Sequence, residues 1–116
     1  MSISISNGTE DYIQLQIELP ETHFILYKDQ EYPINFDSLK YSSKYFYDHR
    51  LDILEYKCID IKKYDPDRNI LTLSTQAVQT FIQYIQRKTI QLTNENISIL
   101  HYLSHKYDIS QLKAST

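Results

Sequence analysis

Glycine and cysteine each occur once in this 116-residue chain, and tryptophan does not occur. With Gly8 as the only glycine, a Gly-rich loop that cradles phosphate is excluded. The lone Cys58 excludes an internal disulfide and leaves no partner for a thiolate zinc cage, so a reducing compartment is the simplest home. No apolar run approaches the ~20 residues of a membrane-spanning helix. The opening Met1-Ser2-Ile3-Ser4-Ile5-Ser6 lacks both the basic start and the apolar stretch of a leader, and the expectation is a cytosolic or nuclear protein with no membrane partner. A net charge of −3, with only short basic pairs at Lys62-Lys63 and Arg87-Lys88, argues against nucleic acid as a partner.

What is present is a single domain's worth of regular structure. Hydrophobic residues make up 41% and charged residues 23%, while three prolines leave little linker. Residues 1–12 are expected to form a flexible end and 13–116 one domain. Ile13, Leu15, Ile17 and Leu19 alternate with polar residues, the pattern of a strand with one wet face, and Pro20 stops it. Phe24 to Tyr27 and Tyr32 to Asn35 are further short strands around the polar Lys28-Asp29-Gln30-Glu31. Asp37 is the expected cap of a helix running to about Asp48. Leu51, Ile53 and Leu54 suit a short helical turn, and Cys58, Ile59 and Ile61 a strand. Asp65-Pro66-Asp67-Arg68-Asn69 signals a turn, with Ile70 to Leu73 as a strand beyond it, so an extra hairpin is expected around residues 56–73. Ser74 or Thr75 caps a helix whose Val78, Phe81, Ile82 and Ile85 form one apolar stripe. After the extended Ile90-Gln91-Leu92, Thr93 or Asn94 caps a helix burying Ile97, Leu100, Leu103 and Tyr107. Ser110 opens a last short helix. The fold class is α+β, a small mixed sheet with a cluster of helices.

Two blocks carry a family likeness. Tyr32-Pro33, Leu39 and Ser43-x-Tyr45-Phe46 form the first. The second is Phe81-Ile82-Gln83-Tyr84-Ile85, then Ile90-Gln91-Leu92-Thr93-x-Glu95-Asn96-Ile97, then Leu103-x-x-Lys106-Tyr107-x-Ile109. In this spacing the chain resembles the BTB/POZ family over residues 24 to 113, about three-quarters of its length. The resemblance implies a BTB/POZ-like fold and a non-catalytic module for protein interaction and oligomerisation, without a cofactor. It also implies a role as adaptor of a cullin-type ubiquitin ligase, because Ile53-Leu54-Glu55 stands near the place of the hydrophobic-x-Glu motif of cullin-binding members. Ile53, Leu54 and Glu55 are therefore the expected partner-binding residues. A monomeric Skp-type or elongin-like adaptor is the alternative within this fold, distinguished by a longer C-terminal helical region.

The departures from the family pattern restrict what carries over. Asn35-Phe36 and Thr22 replace the charged pair of the transcription-repressor subgroup, so its corepressor groove is not expected here. Gln86-Arg87-Lys88 replaces a turn that usually ends in Gly. A strand at Ile13 to Leu19 stands where many relatives have a helix. Its apolar face needs cover, and a homodimer is expected through Ile13, Leu15, Ile17 and Leu19 together with Tyr41 and Tyr45 on the adjacent helix.

Catalytic chemistry has little foothold. His101 and His105 are four apart, with Asp108 beyond, and a small zinc enzyme would need them. They flank the buried stripe of their helix and lack a strong third ligand, so an exposed polar face is the default and no metal is expected. Cys58 reads as a small strand hydrophobe, with no positioned base to make it a nucleophile.

Overall fold

The computed structural model describes residues 3–5, 20–64 and 73–116. Two strands open the ordered core, β2 (His23–Tyr27) and β3 (Gln30–Ile34), after a short β1 (Ile3–Ile5). β2 and β3 pair antiparallel, with Tyr27 opposite Gln30. Their two-residue turn has Lys28 at φ 48° and Asp29 at φ 64°, the left-handed pair that a tight hairpin of matching twist requires. Asp tolerates that region; Lys occupies it at a steric cost.

Three short helices follow: α1 (Phe36–Ser42), α2 (Lys44–Asp48) and α3 (Arg50–Leu54). They carry the chain over to β4 (Cys58–Asp60), which lies parallel to β2 with Ile25 opposite Ile59. A parallel neighbour needs such a long crossover. The first sheet is thus mixed, in the order β3-β2-β4. α4 (Thr75–Ile85), β5 (Ile90–Leu92), α5 (Ile97–Lys106) and α6 (Ser110–Ser115) complete the chain. β5 pairs antiparallel with β1, Ile3 opposite Leu92. Among the described residues this makes a mixed α+β domain of two sheets and six helices.

The core lies between the mixed sheet and the helices. Phe46, Phe81 and Tyr107 stack across it, with ring centres 4.9 Å apart for Phe46 and Tyr107 and 6.2 Å for Phe81 and Tyr107. Val78, Phe81, Ile82 and Ile85 face inward on α4, and Leu100 and Leu103 do so on α5. Ile97 is only half buried, because it starts the first turn. α4 begins where the Ser74 hydroxyl accepts from Ala77 N–H. α5 begins at a reciprocal pair in which Thr93 N–H donates to Asn96 Oδ1 and Asn96 N–H to Thr93 Oγ1.

Two expectations are corrected. The helix expected from Asp37 to Asp48 breaks at Ser43, which is extended at φ −128° and ψ 114°. Ser43 is fully buried, its hydroxyl accepts from Phe46 N–H and starts α2, and these bonds outweigh one more turn of continuous helix. The cap of α1 is Asn35, whose Oδ1 accepts from Ser38 N–H at 2.9 Å, while Asp37 sits inside the first turn and pairs with Lys40. Residues 3–5, inside the end expected to be flexible, form β1 along the edge that β5 offers. Residues 58–60 form the strand expected there, and it pairs with β2 in parallel after the crossover. The strand at Ile70 to Leu73 that would close an extra hairpin lies, except for Leu73, outside the described residues. So do the turn at 65–69 and the strand Ile13 to Leu19.

Candidate functional site

α3 is a helix of five residues and can bury only one side. Ile53 takes that side and is 1% exposed in the core. Leu51 and Leu54, three residues apart, then fall on the outer side at 73% and 60% exposure, and Tyr56 just beyond is 62% exposed. Asp52 and Glu55 are exposed beside them. Tyr47, at the end of α2, adds a ring whose face carries the Arg50 guanidinium at 4.1 Å from the ring centre. Residues 47–56 therefore present four exposed aliphatic or aromatic side chains, Tyr47, Leu51, Leu54 and Tyr56, and three exposed carboxylates, Asp48, Asp52 and Glu55, around a residue anchored in the core. Isolated exposed apolar side chains are ordinary, and a run of them on one short segment is less so.

Each expected partner-binding residue is thus placed. Leu54 and Glu55 are at the surface. Ile53 is not, and a partner pocket could reach it only by unseating α3 from the core. Leu51 and Tyr56 were missed by the sequence reading; their signal is the spacing Leu51, Ile53, Leu54, which a single helical face cannot bury whole.

Tyr41 and Tyr45, expected to act as a neighbouring pair, lie on opposite sides of the break at Ser43. Tyr41 is 72% exposed at the end of α1, with Lys40 Nζ 5.0 Å from its ring centre. Tyr45 turns inward: its ring stacks on His49 at 4.3 Å, meets the edge of Tyr107, and its hydroxyl donates to the Tyr64 carbonyl at 3.3 Å. Tyr45 is therefore packing within its own domain. The extended Ser43 turns the chain and separates the two rings. Ile13, Leu15, Ile17 and Leu19 lie outside the described residues.

His23 sits below α3 on β2. It is buried, its ring lies 4.8 Å from Phe36, and its Nδ1 is 3.0 Å from Thr22 Oγ1. Burial pushes its pKa below the usual 6.5, aided by Lys57 and opposed by the Ile53 carbonyl and by Asp37. Cys58 is exposed on β4, so the small-hydrophobe reading is corrected; partial desolvation, with Glu31 and Asp60 nearby, raises its thiol pKa and disfavours the thiolate.

An open groove of about 410 Å³ runs between α4 and β5, lined by side chains that include Gln76, Thr80, Gln83, Gln91 and Asn96. Glu95 is its only charged residue among those described, so it holds neither a basic cradle for anions nor a nucleophile with a base. Among the described residues, no group of three or more His, Cys, Asp or Glu is placed to share a metal ion. Asp108 is 3.2 Å from Lys113 Nζ. No helix among the described residues is long and apolar enough to cross a membrane.

Neither a protein-family model nor a curated protein matches this chain.

Proposed function

We propose that this chain is a non-catalytic protein-interaction module of BTB/POZ type, and that residues 47–56 form its docking surface. The observation that carries the reading is the division of labour on α3, where buried Ile53 holds the segment and Leu51, Leu54 and Tyr56 face outward. Support for the family comes from the order of elements: hairpin, helices, a further strand, then two main helices joined by a short strand. That is the order the sequence blocks imply. The partner's chemistry follows from the surface: an apolar pocket for Leu51 and Leu54, rimmed by basic or backbone N–H groups that meet Asp52 and Glu55. A cullin N-terminal domain is the partner that the resemblance suggests. Of the expected partner-binding residues, Leu54 supplies the apolar anchor, since Ile53 is buried in the core.

The test is a binding titration of a cullin N-terminal domain from the source organism against the intact chain and a Leu51→Ala/Leu54→Ala variant. At least tenfold weaker binding by the variant, about 1.4 kcal/mol, is the expected outcome. Equal binding by both proteins would place the contact elsewhere, and no binding by either would remove the cullin reading.

A further inference from the structure

His101 and His105 stand one turn apart on α5, and their Nε2 atoms are 3.1 Å from each other. Neighbouring hydrogen bonds decide where the ring hydrogens sit. Thr116 Oγ1 donates its own hydrogen to the Leu112 carbonyl at 2.9 Å, so it acts as acceptor toward His101 Nδ1, also 2.9 Å away. His101 therefore carries its hydrogen on Nδ1 and turns a lone pair outward at Nε2. His105 donates to that lone pair from its own Nε2–H. The two Nε2 atoms thus face each other at the edge of the helix, where His105 is exposed to solvent, and an ion between them needs a modest turn of each ring.

We propose that His101 and His105 form a two-nitrogen chelate for a divalent zinc- or copper-like ion, with water completing the coordination shell. Neutral imidazole suits these ions. With metal–nitrogen bonds of about 2.0–2.1 Å, the 3.1 Å separation subtends about 98° at the ion, between octahedral and tetrahedral angles. For the ion to enter, His105 moves its hydrogen from Nε2 to the solvent side at Nδ1, and both rings stay neutral. His101 needs no such change, because Thr116 already holds the metal-ready tautomer, as acceptors behind metal-bound imidazoles do. Asp108 does not join, since its carboxylate is held by Lys113. Two protein ligands make an exchangeable site, unlike the four-ligand structural cage.

Calorimetric titration of the intact chain with Zn²⁺ tests the proposal, alongside His101→Gln, His105→Gln and, as a control imidazole outside the pair, His49→Gln. One ion per chain is expected, with affinity at least tenfold lower in either pair variant and unchanged in the control. Thr116→Val keeps both ligands and is expected to weaken binding less than loss of either. A readout that needs no variant is the electron paramagnetic resonance spectrum of added Cu²⁺, which should show coupling to two imidazole nitrogens. Binding that is equal in His101→Gln and the intact chain would overturn the site. So would an absence of heat with Zn²⁺ at about 1 mM, a level that half-fills even a weak site.

Discussion

The Ser43 hydroxyl donates to the Tyr107 main-chain carbonyl at 2.5 Å, tying the break between α1 and α2 to the end of α5 across 64 residues of sequence. The same oxygen accepts from Phe46 N–H, and Lys44 N–H reaches the Asp108 carbonyl at 3.3 Å beside it. Ser43→Ala removes a buried donor and a helix cap together. Each loss is worth about 1 kcal/mol, so a destabilisation of about 1–3 kcal/mol is expected in denaturant titration. A variant as stable as the intact chain would mean that the hydroxyl is not the tie.

Phe46 and Phe81 both pack on Tyr107 and are essentially unexposed. Replacing either by Ala opens a cavity in the core, and a loss of about 3–5 kcal/mol is expected. That is a large share of a small domain's stability. Thermal melting checks it, and an unchanged midpoint in either variant would show that the ring does not belong to the core.

These two predictions separate what was legible in the sequence from what was not. Periodicity placed the buried faces of α4 and α5, because four or more apolar residues at helical spacing leave little choice. It failed at Ser43, where Leu39, Ser43 and Phe46 keep helical spacing although the chain is extended between them. A local pattern cannot report that a carbonyl 64 residues away competes for the Ser43 hydroxyl. For the same reason Ile53 looked available to a partner: only the tertiary packing decides which of Leu51, Ile53 and Leu54 a short helix buries. The pairing of Ile3 with Leu92 was equally hidden, since three alternating residues at a chain end carry no signal of a distant edge.

Stability should fall on mild acidification because of His23. Its pKa in the folded chain lies below 6.5, the value it regains on unfolding, so below that pH the unfolded state binds the proton better. The contribution of neutral His23 is complete above pH 6.5 and declines as the pH falls through and below that value. Denaturant titrations from pH 7.5 to 5.5 should show a smaller loss in His23→Gln than in the intact chain. The same slope in both proteins would assign the effect to other groups.

Self-association is expected to use Tyr41, the exposed ring at the end of α1, now without Tyr45. A two-fold contact uses each residue twice, so one charged substitution there acts on both sides of the interface. Light scattering at micromolar concentration should give a dimeric mass for the intact chain and a monomeric one for Tyr41→Glu. A monomeric intact chain would sink the dimer, and a dimeric variant would move the interface off α1.

Ile53 and Leu54 are neighbours with opposite duties, and substitution should separate stability from binding. Ile53 is 1% exposed and part of the core cluster, so Ile53→Ala is expected to cost about 2–5 kcal/mol. Leu54 is 60% exposed, and Leu54→Ala should stay within about 0.5 kcal/mol of the intact chain while weakening partner binding. Melting curves and binding titrations on the same two variants check both halves. If Ile53→Ala kept full stability and lost binding, α3 would be turned over relative to this structure, and Ile53 would be the anchor after all. If Leu54→Ala lost stability, its side chain would be packed within the domain, and the docking surface would shrink to Leu51 and Tyr56.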